Sequence, residues 1–245
     1  MMHITALIPL KIKNDAQFRR FQACFTSYKF VVEKYKVVLN IADESNGYYS
    51  QQIRSFLRKY DVEKNFIKSN GYVDAVQRLI QSVKNDYFFF IVDDVELLRQ
   101  KDFIKPSIAA FRENGDLIQI KFGGGLSARK SKVENLKMYK DLYRPFQYQA
   151  DVVWVNKISL DRERYIFSHY NCVLKTEIFQ KIDSRISAPI PSFDAYVLFL
   201  KENFLGELGE FTTGWLNWED YLYVWERSPT SKKEALHLLE TSGER

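Results

Sequence analysis

Tyr87–Val92 reads YFFFIV, an unbroken apolar run dominated by aromatic rings and followed at once by Asp93-Asp94. No position alternates to polar, so a strand built from it needs cover on both faces. That is the habit of strands inside a parallel sheet. The upstream chain supplies companions. HITALIPL (His3–Leu10), YKVVLNIA (Tyr35–Ala42) and NFIKS (Asn65–Ser69) read as strands. Between them, Asp15–Tyr35 carries Phe18, Phe21, Phe25 and Tyr28 at helical spacing, Tyr48–Tyr60 fits a crossover helix, and Val73–Lys84 places Val73, Val76, Ile80 and Val83 on one face. The order β-α-β-α-β-α-β predicts an α/β fold, a mostly parallel sheet flanked by helices.

Ligands of open parallel sheets bind beyond the carboxyl ends of the strands. Four loops are thereby marked: Pro9–Asn14, Asp43–Tyr48, Lys68–Asp74 and Asp93–Glu96. Pro9, Asp43, Asp74 and Asp93 are the candidate contacts they offer. Further on, Phe103–Asn114 reads as a helix and Asp116–Phe122 as a strand. Gly123–Gly125 lacks the strand-GxGxxG-helix setting of a dinucleotide site and reads as a turn, and Ser127–Gln149 reads as a mobile basic stretch. Asp151–Leu160 and Tyr165–Lys175 read as strands; Thr176–Ile182 and Ser192–Asn203 read as helices.

Length and composition narrow the function. The 245 residues fit one domain of two fused lobes, divided as 1–103 and 104–245. The net charge of +5 suits an anionic, phosphorylated ligand and is too small to imply nucleic-acid binding. Cys24 and Cys172 match neither a disulfide framework nor a Cys-x-x-Cys metal site, and read as buried thiols in a reducing compartment. No apolar run reaches the roughly 20 residues of a membrane span and no basic-then-apolar leader opens the chain, which predicts a cytoplasmic protein with at most peripheral membrane contact.

Asp93-Asp94-Val95-Glu96 follows the most apolar strand. Hard cations such as Mg²⁺ and Mn²⁺ take oxygen ligands, and one or two carboxylates suffice when substrate phosphates complete the shell. The competing reading is that both acids cap the next helix.

FFFIVDDVELL with Lys101-Asp102-Phe103 resembles the strand and Asp-x-Asp loop of nucleotide-sugar glycosyltransferases with the GT-A fold, a Rossmann-like sheet. LIPLK, VVLNIADES and GYVDAVQRLIQSVKNDY fit the upstream pieces, and GWLNWEDYLYVWER is similar to the Glu-Asp motif of the inverting family-two type. The resemblance implies a nucleoside diphosphate sugar donor, a glycan or other hydroxyl acceptor, and Mn²⁺ or Mg²⁺. It implies that Asp43 contacts the base or ribose, that Asp93 lies near the ribose or diphosphate, and that Asp94 coordinates the metal. Asp220, with Glu219 as the other candidate, would be the general base. Val92 stands where many members carry the first acid of the triplet and Glu96 where others carry the second Asp, so Glu96 joins Asp94 as a metal candidate; His237 in EALHLLE resembles the late His that completes the metal shell in some relatives, and otherwise reads as a helix-surface or core His. Trp215 and Trp218 flank the base motif and read as ring-stacking groups or core; His169 reads as core or cleft lining.

Two rivals use the same sheet or the same aromatics. A sugar nucleotidyltransferase would need a glycine-rich basic segment after the first strand, and LIPLKIKNDAQ has no glycine. A non-catalytic sugar- or nucleic-acid-binding module would use aromatic platforms and Arg129–Lys140, but has no need of Glu219-Asp220.

Overall fold

The protein is described here by a computed structural model covering residues 4–98, 100–122, 124–125, 144–149, 151–158, 171–186, 190, 195–196, 198–199, 202–203, 211–216 and 222–225. In chain order the elements are β1 (Ile4–Leu10), α1 (Asp15–Ser27), α2 (Lys29–Lys34), β2 (Val38–Asp43), α3 (Gly47–Leu57), β3 (Lys64–Ile67), α4 (Tyr72–Gln81) and β4 (Tyr87–Phe90). There follow β5 (Val95–Leu97), α5 (Ile104–Glu113), β6 (Leu117–Lys121), β7 (Gly124–Gly125), β8 (Arg144–Tyr148), β9 (Asp151–Ile158), β10 (Cys172–Lys175), α6 (Thr176–Asp183), β11 (Phe211–Leu216) and β12 (Leu222–Trp225).

A nine-stranded sheet runs in the order β3-β2-β1-β4-β10-β6-β11-β9-β8. The strands β1 to β4 are parallel, as their apolar runs predict. β10 enters antiparallel between β4 and β6, and β11 lies parallel to β6. The carboxyl ends of β1, β2, β3, β4, β6 and β11 therefore share one edge. A second sheet, β5-β12-β7, sits at that edge.

Strand alternation sends Phe88 and Phe89 to opposite faces. Phe88 meets Phe179 of α6, while Phe89 meets Tyr28 and Phe103, with Phe122 stacked on Phe103 at 3.9 Å. Phe21, Phe25, Phe56 and Tyr60 interlock between α1 and α3 through tilted and edge contacts. Much of the aromatic content is thus spent on the core.

The single helix expected over Asp15–Tyr35 is two helices. Ser27 donates its hydroxyl to the Cys24 carbonyl, which competes with the helix ladder, and the chain turns at Tyr28. Gly124–Gly125 is a strand instead of a turn, because backbone pairing with Leu222 and Tyr223 of β12 needs no side chain. Part of the stretch read as mobile is β8, joined to β9 by a tight hairpin with Tyr148 opposite Asp151 and Gln149 at φ 55°. That turn lacks the Asn-Gly signature that announces positive φ, so it left no trace in the sequence. Positions 126–143 lie outside the described residues. Cys24 and Cys172 are buried and form no disulfide, and burial pushes the Cys172 thiol up to about 12, against a lowering influence from Lys121. Among the described residues no helix is long and apolar enough to cross a membrane.

Asp102 caps α5, accepting from the amides of Ile104 (3.0 Å) and Lys105 (3.2 Å), and also holds Lys34 at 2.7 Å and the Tyr35 hydroxyl. Burial pushes its carboxyl up, but these donors outweigh it and hold it below the ordinary range. A depressed carboxyl stabilises above its unfolded pKa of about 3.9 and loses that contribution as pH falls through the folded value. Asp102→Asn should therefore cost roughly 1–3 kcal/mol at neutral pH in urea unfolding, with the gap from wild type closing on acidification.

Candidate functional site

The strand order reverses between β1 and β4: β2 and β3 lie on one side of β1, and the chain then returns to β4 on the other. Ligands of open α/β sheets bind at such a switch point, and here Pro9 marks where β1 and β4 part. Leu7 accepts from Ile91 at 3.0 Å on the β4 side, while Leu10 accepts from Glu44 at 2.9 Å on the β2 side. By alternation Pro9 faces β4, where the next rung requires an N–H that proline lacks. Pairing with β4 ends at Leu7, whereas pairing with β2 continues to Leu10. Pro9 itself is buried in β1.

Beyond the last rung of β4 come Asp93 and Asp94. The Arg20 guanidinium from α1 donates Nε to the Asp93 carbonyl at 3.0 Å and Nη2 to its carboxylate at 3.1 Å. Asp94 is 6% exposed. Glu96 is half-buried within β5, and the Leu97 amide donates to the Ser27 hydroxyl of α1 at 3.0 Å. β5 pairs antiparallel with β12, Glu96 opposite Val224 and Val95 opposite Trp225. The helix-cap alternative for Asp93 and Asp94 does not hold: a strand follows them, and Asp102 caps α5.

The neighbouring loops are ordered by carboxylates. Asp43 accepts from the Ser45 amide at 2.9 Å and the Ser50 hydroxyl at 2.6 Å, and Ser45 in turn accepts from the Ile12 amide at 2.8 Å. Asp74 accepts from the Asn70 amide at 2.7 Å and is gripped by Arg78 Nε at 2.8 Å. Glu44, which the sequence reading passed over, joins three loops. It accepts from the Ser69 hydroxyl at 2.9 Å and from the Gly71 amide, and pairs with Lys11 at 3.6 Å. Gly71 takes φ 92°, a conformation that favours glycine, as the N-cap of α4. Arg20 was missed as well. A motif search centred on loops does not look inside an amphipathic helix.

Glu219, Asp220, His237, His169 and Trp218 lie outside the described residues. Their described neighbours are informative: β11 ends at Leu216 on the edge that carries Asp94, and β12 begins at Leu222 and pairs with β5. Trp215 sits in β11, its backbone opposite Lys121 and Trp154. Among the described residues no group of three or more His, Cys, Asp or Glu forms a ready metal cage.

No protein-family model matches the chain, and no curated protein matches it. Solved structures do. S. aureus TarS 1–349 in complex with UDP superposes with a TM-score of 0.59 at 15% identity over 97% of this chain. The TarS 1–349 complex with UDP-GlcNAc superposes with a TM-score of 0.57 at 14% identity over 91%. The chain spans 64% and 58% of those two TarS chains. The 4-diphosphocytidyl-2C-methyl-D-erythritol synthase of Anaerococcus prevotii gives a TM-score of 0.51 at 10% identity, covering 98% of this chain and 96% of its own. At such identities likeness speaks for the fold, and it agrees with the strand order and its reversal between β1 and β4: the chain has a GT-A-like, Rossmann-type α/β fold.

Proposed function

We propose that the chain is a nucleotide-sugar glycosyltransferase that moves a sugar from a nucleoside diphosphate sugar to an acceptor hydroxyl with inversion. The observation that carries this reading is the parting of β1 and β4 at Pro9, with the acidic segment 93–96 just beyond the carboxyl end of β4 and β12 paired to its strand β5. Likeness to TarS bound to UDP and to UDP-GlcNAc supports it. In this reading residues 1–103 bind the donor and residues 104–245 bind the acceptor. Pro9, Asp43 and Asp74 shape the donor side.

Asp94 and Glu96 offer only hard oxygen donors, a chemistry that fits Mn²⁺ or Mg²⁺ in a site completed by substrate phosphates. His237 is the further candidate ligand. A cation there would supply charge neutralisation at the departing diphosphate. Asp220 takes the proton from the acceptor hydroxyl, and Glu219 orients the acceptor.

Donor hydrolysis and transfer, screened across nucleoside diphosphate sugars with and without Mn²⁺, test the reading. The GT-A-like neighbour from Anaerococcus makes nucleotidyl transfer the alternative. Pyrophosphate release from a nucleoside triphosphate and a sugar 1-phosphate, with no turnover of any nucleoside diphosphate sugar, would replace the proposal with that reaction.

Glu44 gives a graded check. Glu44→Ala removes the acceptor shared by the β1, β2 and β3 loops and should weaken UDP binding about tenfold, or about 1.4 kcal/mol, in calorimetric titration. Glu44→Gln keeps a carbonyl acceptor for Ser69 and Gly71 and should lose less. Equal losses in both variants would assign the effect to the Lys11 pair.

A further inference from the structure

We propose that α1 is a clamp on the acidic segment, with Arg20 as a positioning residue that pairs with Asp93 and so fixes Asp94 beyond the carboxyl end of β4. This inference rests on the glycosyltransferase reading for its consequence, though not for its geometry. α1 grips the segment at both ends. Arg20 holds Asp93 by carbonyl and carboxylate together, and Ser27, two turns further along the helix, holds the Leu97 amide. Asp94 and Glu96 lie between the two grips.

The two-pronged contact matters physically. Arg20 and the Asp93 carboxylate are 23% and 24% exposed, so their pairing is only partly screened by water. A bidentate guanidinium fixes direction as well as charge, which a flexible ammonium does not. By holding both the carbonyl and the carboxylate of Asp93, Arg20 fixes the course of the chain into Asp94 and offsets one of the two neighbouring negative charges. The two acids then divide the work: Asp93 anchors the segment, and Asp94 presents oxygen to a cation.

The roles read into Asp93 and Arg20 separate by experiment. The full chain and the variants Arg20→Gln, Arg20→Lys and Ser27→Ala are compared by hydrogen exchange without ligand, and by UDP titration with and without Mn²⁺. Arg20→Gln should raise exchange across 93–97 about tenfold while β1 and α4 keep their protection. It should also remove most of the Mn²⁺-dependent gain in UDP affinity and leave metal-free affinity within about twofold. Arg20→Lys should recover part of that gain, and Ser27→Ala should loosen Leu97 alone. Unchanged exchange over 93–97 in Arg20→Gln and Arg20→Lys overturns the clamp. So does an equal loss of affinity with and without Mn²⁺, which would mark a general structural role. Should Arg20→Gln fail to fold, Arg20→Lys and Ser27→Ala carry the same comparison. Exchange that responds as expected in a protein that binds no UDP, with or without Mn²⁺, keeps the clamp and removes the donor reading.

Discussion

Asp94→Asn should abolish the Mn²⁺-dependent part of nucleoside diphosphate binding, a loss of roughly two orders of magnitude or more in affinity, while the melting temperature moves little. Asn keeps the shape of a side chain that is 6% exposed, so no cavity confuses the result. What it removes is a full negative charge at a place where metal and diphosphate charges must balance, and such preorganised electrostatic terms are among the largest an active site provides. Calorimetric titration of UDP with and without Mn²⁺ reads the effect directly. Metal-dependent affinity that survives in Asp94→Asn would move the ligand role to Glu96 or His237, and titrations of Glu96→Gln and His237→Ala would then choose between them.

Asp220→Asn should lower kcat by about 10²–10⁴, the usual worth of a positioned general base, with KM for the donor nearly unchanged. The described strands on either side give this expectation its footing. The chain leaves the large sheet at Leu216 and enters the small one at Leu222, hydrogen-bonded to the β5 strand that begins beside Asp94. Neighbouring side chains on a regular element diverge, so a general base supplied by this motif is one of Glu219 and Asp220 and not both. Steady-state kinetics of Asp220→Asn and Glu219→Gln settle the assignment: a large fall in kcat for Glu219→Gln alone swaps the roles, and native turnover in both ends the inverting mechanism.

The strands and the edge that carries the site could be read from residue order because burial on both faces leaves a local mark. YFFFIV has it, and so do ITALIPL and VVLNIA. The acids that follow YFFFIV and VVLNIA were equally visible. What the side chains do there was not, since a partner far away in sequence leaves no local signature: Arg20 reaches Asp93 across 73 positions and Ser27 reaches Leu97 across 70. Asp43 and Asp74 drew notice as ligand contacts, and the structure shows both holding their own loops. Glu44 sat beside Asp43 and drew none, though it binds more of the surrounding chain. The reversal of β10 beside the parallel strands was also hidden, because Cys172, Val173 and Leu174 are apolar whichever way the strand runs.

One partner of β4 arrives late. β1 is made before it, but β10, which closes its other edge, follows only after α5 and the strands β6 to β9 have been synthesised. At about 5–20 residues per second the ribosome takes several seconds over that stretch. During that interval YFFF presents an unpaired, uncharged, aromatic edge of the kind that templates intermolecular pairing. Yield in a cell should therefore depend on translation speed and on holding chaperones more than the finished molecule's stability suggests. The same edge makes residues 1–103 alone a poor unit to express, since without β10 the edge of β4 stays unpaired.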